Sequence, residues 1–228
     1  NAKNKVNLFD AFNDGSVVLI NTAKDLLKED GCQILGRFFI SLIAQAAQER
    51  ASIHASQRLP TFVYVDEAQD YFDSSVEVLL SQARKYCFGL IMAHQNLNQF
   101  ERSLLASVTA STSIKLAGGV SSKDAEAFSK EMRCDAEFIR DMRKRGRYTE
   151  FACWVKNMTE RPIKLTVPFG AMEKRPKLER EPFELLLKAN RGRYSATIDD
   201  VTEQYQAEQS TRTKRGLSWV SGRSCKML

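Results

Sequence analysis

The chain has 228 residues, of which 43% are hydrophobic and 27% charged, proportions that exclude a collagen-like, disulfide-scaffold or wholly disordered protein. A chain of this length can bury roughly 70% of the surface its unfolded form exposes, so a real core is possible. The formal charge of +6 comes mostly from Arg212, Lys214, Arg215, Arg223 and Lys226, which fall at 211–228 with no acid among them and read as a basic, disordered tail on a nearly neutral body.

Taken in chain order, Ser16 to Ile20 (SVVLI) is a short β-branched run and predicts a buried strand. From Glu29 to Arg50, Cys32, Leu35, Phe38, Phe39, Leu42, Ile43, Ala46 and Ala47 recur at helical spacing. The apolar stretch within it, Ile34 to Ala47, contains Arg37 and is shorter than the ~20 residues of a membrane helix. Thr61 to Val65 (TFVYV) predicts a second strand, Ser74 to Tyr86 a helix, Phe88 to Ala93 a third strand, and Asn98 to Val108 a helix. Thr112 to Ala117 predicts a fourth strand and Ser121 to Met132 a helix.

Strands alternating with helices imply an α/β fold with a parallel sheet, because parallel neighbours need crossover connections. Asp135 to Lys144 predicts a further helix, and Tyr148 to Lys156 with Pro162 to Phe169 an appended β-hairpin across a turn at 157–160. Pro162, Pro168, Pro176 and Pro182 then mark the end of the compact part. The expected organisation is a domain at 1–170, a linker with short helices at 171–210 (near Phe183 to Ala189 and Asp199 to Glu208), and the tail at 211–228. The chain starts at Asn1 with neither a methionine nor a charged-then-apolar leader, and is read as a piece of a longer protein. Cys32, Cys87, Cys134, Cys153 and Cys225 are odd in number and never spaced C-x-x-C, a pattern that suits reduced, buried thiols in a cytoplasm.

In FVYVDEAQD an apolar strand delivers Asp66 and Glu67 at its carboxyl end, where open α/β sheets place their ligand sites. Two carboxylates there can divide labour in nucleotide hydrolysis, one holding Mg²⁺ through water and the other polarising the attacking water. The plainer alternative is that they cap the following helix. The next strand ends in Ala93-His94-Gln95-Asn96, which offers an amide at the same sheet edge, and Gln95 is preferred to His94 as its functional residue. Two histidines without a metal-ligand spacing argue against a protein-held zinc.

The run VYVDEAQDYF, LLSQARKYCFGLIMAHQNLNQF, SIKLAGG and KDAEAFSKEM resembles the carboxyl-terminal half of the motor domain of TraD/TraG-type conjugative coupling proteins. These belong to the wider HerA/FtsK class of P-loop ATPases that move DNA, and the resemblance covers about residues 8 to 170. It implies a RecA-like sheet, ATP and Mg²⁺ as cofactors, DNA as partner, a ring that is hexameric, and secretion-channel and relaxosome proteins as further partners. It also implies an inner-membrane anchor outside these residues. By resemblance Asp66 and Glu67 are the Walker B pair and Gln95 the sensor. Lys115 stands where many relatives carry arginine, and Arg84 of A-R-K-Y is the alternative for a basic residue acting across a subunit interface. Arg143, Lys144, Arg145 and Arg147, with Arg140 beside them, form a basic cluster that could meet DNA phosphates or complement a helix end.

A phosphate-cradling G-x-x-x-x-G-K-[ST] is missing from the sequence; the nearest run, GCQILGRF at Gly31 to Phe38, lacks the Lys-Ser/Thr pair. In the family that loop follows a strand lying mid-sheet, between those that Phe88–Ala93 and Thr112–Ala117 resemble. A chain without it is expected to leave two strand edges unpaired, to fold poorly alone and not to hydrolyse ATP. Two alternatives stay open: a HerA-type DNA-processing or defence ATPase, and a non-catalytic DNA- or subunit-binding module.

Overall fold

The computed structural model describes residues 6–73 and 76–194, with the backbone alone of Val78. The chain divides into two compact units, one spanning Leu8–Arg175 and the other containing, among the described residues, 6–7 and 176–194. The larger unit carries the helices α1 (Leu8–Asp14), α2 (Lys24–Glu49), α3 (Ala68–Tyr71), α4 (Val76–Gln82), α5 (Arg102–Ser111), α6 (Ser122–Met132) and α7 (Ala136–Arg140). Its strands are β1 (Thr61–Val65), β2 (Phe88–Met92), β3 (Ile114–Ala117), β4 (Tyr148–Val155) and β5 (Ile163–Pro168). In the smaller unit α8 (Arg180–Tyr194) is described. No helix among the described residues is long and apolar enough to cross a membrane.

The fold is mixed α/β, but the strands form two sheets rather than the single parallel one expected. β1 and β2 pair in parallel, Thr61 opposite Phe88 through Val65 opposite Met92. β3 joins β4 antiparallel, and β4 pairs with β5. The hairpin is therefore not appended; it supplies β3's partner. That pairing puts Ala117, Ala152 and Trp154 on one face, where they pack with Ala125 and Met132 of α6 and Ile139 of α7. A second core joins Ile40 of α2, Ala68, Phe72, Val76, Leu104 and Val108 beneath β1 and β2. Among the described residues, the edge of β2 away from β1 and the edge of β3 away from β4 carry no strand.

The expected strand at Ser16 to Ile20 is a correction: these residues are in no strand, and Val17 and Leu19 are 86% and 92% exposed. β-branched residues favour extended geometry, but a strand also needs a partner's hydrogen bonds, and none of the described residues supplies them. The segment instead lines a groove of about 600 Å³ with β1 and α2. α2 is broken near its start, where Lys28 has φ 58°. The helix proper follows from Glu29, as the periodicity predicts, with Cys32, Gly36, Ile40 and Ile43 on its buried face.

Other boundaries shift. α5 begins only at Arg102 because Leu97–Gln99 forms a 3-10 turn, and α7 stops at Arg140. α1 and α3 are short helices that the apolar periodicity does not reveal, while α8 is longer than its apolar core suggests. The expected helix at 199–208, the tail at 211–228 and Cys225 lie outside the described residues. Cys32 is buried, but Cys87 is exposed, contrary to expectation, because it occupies a left-handed turn (φ 54°) just before β2.

One buried cation ties the larger unit together. Arg50, at the end of α2, is fully buried and has no carboxylate partner among the described residues. Its Nη1 donates to the carbonyls of Leu59 (2.9 Å) and Tyr86 (3.0 Å). Its Nη2 donates to Thr61 Oγ1 (2.7 Å) and to the carbonyl of Phe12. Desolvation lowers its pKa from the usual arginine value. Substituting Arg50→Met leaves at least two buried carbonyls unpaired, each costing about 1–3 kcal/mol, so a loss of roughly 3 kcal/mol or more is expected. Arg50→Lys should recover part of it, since an ammonium lacks the planar fork. Urea unfolding followed by circular dichroism measures both; an unchanged midpoint for Arg50→Met would show that the clamp does not hold the unit.

Candidate active site

Parallel pairing brings the carboxyl ends of β1 and β2 to the same edge. The ladder runs one step past both strands: the Ala93 amide donates to the Val65 carbonyl, and the Ala68 amide donates to the Ala93 carbonyl, each at 2.9 Å. Between these two bonds the chain turns sharply, so that Asp66 and Glu67 project at the sheet edge. Glu67 makes the turn in the left-handed region (φ 50°, ψ 48°), a conformation that costs a non-glycine residue about 1–3 kcal/mol and clusters at functional sites.

The Glu67 carboxylate is held from both sides. Gln95 Nε2, from the end of β2, donates to one oxygen at 2.6 Å, and Gln69 Nε2, from the first turn of α3, donates to the other at 2.7 Å. These hydrogen bonds, Gln69's first and Gln95's next, lower the pKa of Glu67 from the usual glutamate value, with partial burial opposing and Lys24 assisting. Asp66 is exposed; its Oδ1 accepts from the Glu67 amide at 3.0 Å. Its other oxygen has no hydrogen-bond partner among the described residues. Glu67 makes no side-chain cap to α3, so neither carboxylate is spent on the helix.

Around this pair lies a supporting layer. Lys24 Nζ bonds Asp70 Oδ2 at 3.1 Å. The Tyr71 hydroxyl contacts Thr22 Oγ1 at 3.1 Å and Cys32 Sγ at 3.3 Å. Any side chain at Gly36 would run into the Tyr71 ring. His94 turns away into the core, its ring edge-on to Phe100 at 5.1 Å and stacked at 6.5 Å with Phe128. Burial lowers its pKa, with Asp124 opposing, and its Nδ1 is buried without a hydrogen-bond partner among the described residues. At the β2 end, then, Gln95 meets the acid and His94 packs.

Sequence reasoning brought together Asp66, Glu67 and Gln95, and the structure does so too. It missed Gln69, although the signal was present as an amide two residues after the acid in D-E-A-Q-D. Arg84 is exposed on the 3-10 turn before β2, at the opposite strand end from Glu67. Within one chain the structure does not bring it to the acids. Lys115 points inward: it is 8% exposed, donates to the carbonyls of Thr109 and Thr112, and lies 5.1 Å over the Trp154 ring. Its ammonium closes the end of α5 and lies 3.9 Å from Glu131 Oε2.

The basic cluster is likewise divided. Arg145 bonds Glu150 Oε2 at 3.0 Å and Lys144 lies over the Phe169 ring, while Arg143 and Arg147 stay exposed without a side-chain partner among the described residues. The GCQILGRF run lies wholly within α2, a helix and not a phosphate loop.

Comparison with known proteins finds no family model and no curated protein that matches the chain.

The two amide donors stabilise the anionic Glu67, so their contribution is full at pH above the ordinary glutamate range and is lost as pH falls through the lowered folded-state value. Carbon-13 NMR of labelled glutamate side chains should find Glu67 titrating below the ordinary glutamate value. Gln95→Leu should move it up toward that value. A Glu67 titration that ignores Gln95→Leu would show that the 2.6 Å bond is not formed in solution.

Proposed function

We propose that the chain is part of a ring-forming ATPase that uses ATP hydrolysis to move DNA, of the RecA-like class and most closely of the conjugative coupling type. The observation that carries this reading is the Glu67 carboxylate at the carboxyl end of β1, hydrogen-bonded to Gln95 from the neighbouring parallel strand. A residue poised to polarise water is thereby wired to one that can sense what occupies the site. The edges of β2 and β3, unpaired among the described residues, support the same reading, since one further parallel strand between them would join the two sheets.

The donor set fits a hard cation held through water. Asp66 offers a free carboxylate oxygen beside the anionic Glu67, and Mg²⁺ keeps several waters while taking one or two protein carboxylates. Bound there with nucleotide, Mg²⁺ would neutralise charge on the phosphates. The set does not fit ATP unaided, because no backbone cradle with a lysine occurs in the sequence; that grip must come from another segment or subunit. Within this chain, Asp66 would hold the cation through water, Glu67 would orient and polarise the attacking water, and Gln95 would read the state of Glu67 through their shared bond.

In a protein that joins this chain to a phosphate-binding segment, Glu67→Gln should lower ATP turnover by at least ~100-fold, the scale of a lost general base, while nucleotide binding persists. Steady-state phosphate release and fluorescent-nucleotide titration test the two parts. Turnover within a few-fold of the parent would sink the assignment.

A further inference from the structure

Where α6 ends and the chain turns into α7, the surface forms a hollow of about 590 Å³ whose rim is completed by the end of the β4–β5 turn. Lys130, Arg133 and Arg161 line it, with Phe138, Cys134 and a single carboxylate, Asp135. All three cations are exposed, and none has an ion-pair or hydrogen-bond partner for its side chain among the described residues. Arg133 sits just past the helix in the left-handed region (φ 59°), where the Cys134 amide caps the Ser129 carbonyl at 3.1 Å. Glycine is favoured at that helix-ending position, yet the chain carries a guanidinium there. Phe138 is half-buried, leaving part of a ring beside the cations.

We propose that this hollow binds the phosphodiester backbone of a nucleic acid strand, with Lys130, Arg133 and Arg161 on phosphates and Phe138 against a sugar or base. The proposal rests on the DNA-partner part of the preceding reading and adds a contact apart from Arg143 and Arg147. Those two lie at the amino end of β4, whereas the hollow takes Arg161 from the turn beyond its carboxyl end. The chemistry favours a polyanion over a lone phosphate. Exposed cations are well hydrated, and one ion contact in high dielectric yields little. A row of phosphates gains from every counterion it releases, and an aromatic face adds sequence-tolerant stacking.

The test uses the full chain and a Lys130→Gln/Arg133→Gln/Arg161→Gln variant, with a labelled oligothymidylate of about 20 nucleotides, longer than one binding module covers. Anisotropy titrations over a salt series should give a log K that falls linearly with log salt. The variant should flatten that slope by about 2, at ~0.7 per phosphate neutralised on a single strand. Cys134 lies in the hollow and Cys87 is exposed elsewhere, so the oligonucleotide should slow alkylation of Cys134 several-fold by mass spectrometry and leave Cys87 unchanged.

An unchanged slope with unprotected Cys134 overturns the hollow while leaving DNA binding intact, and loss of binding from Arg143→Gln/Arg147→Gln alone would then place it on the loop. Failure of the full chain to bind at low salt overturns both the hollow and the DNA partner. Displacement by millimolar pyrophosphate at matched ionic strength overturns the proposal in favour of a small-anion site. Should the triple variant not fold, Cys134 protection in the unaltered chain decides.

Discussion

The buried guanidinium of Arg50 fixes the amino-terminal ends of both parallel strands at once. Its acceptors are Leu59 and Thr61, where β1 begins, and Tyr86, where β2 begins, with Phe12 of α1 on the remaining side. A parallel pair has no tight turn to set its register; something outside the ladder must do so. Here a rigid fork joined to α2 does it, and the consequence appears at the other end of the strands. A slip of one residue would move Gln95 by ~3.3 Å relative to Glu67, enough to break the bond between them.

The site therefore depends on a contact far from its chemistry. Clamp, ladder, left-handed turn and paired amides form one chain of cause, each step placing the next. The left-handed Glu67 is the strained member. Its strain is held by the hydrogen bonds that bracket it, Ala93 to Val65 on one side and Ala68 to Ala93 on the other. Lys24 on Asp70 and Tyr71 on Thr22 then pin α3, which delivers Gln69.

Legibility in the sequence followed the range of the interaction. β1 and its acids were readable because four apolar or aromatic residues, Phe62 to Val65, and two carboxylates are contiguous, and Gln95 because the end of the next strand must share the edge. α6 was readable to within a residue, from Ser121, whose side chain accepts from the Asp124 amide. Arg50 was not, since its acceptors lie up to 38 residues away and nothing local distinguishes it from a surface arginine. The pairing of β3 was hidden for a related reason: Ile-Lys-Leu-Ala suits a parallel or an antiparallel ladder equally, and only Trp154 and the helices beneath select the second. Ser16 to Ile20 shows the converse, a segment with strand chemistry and no strand partner among the described residues.

The antiparallel sheet buries one face and leaves the other bare. In its register Ile114, Leu116, Ile163, Leu165 and Val167 share that bare side, and all five are exposed, as are Phe62 and Tyr64 on β1. Apolar surface already wet in the native state contributes nothing to the heat-capacity change of unfolding or to its denaturant dependence, both of which scale with newly exposed area. The described part of the chain is thus expected to show a smaller heat-capacity change and a weaker denaturant dependence than its length alone implies. Each apolar group covered by further structure would raise both.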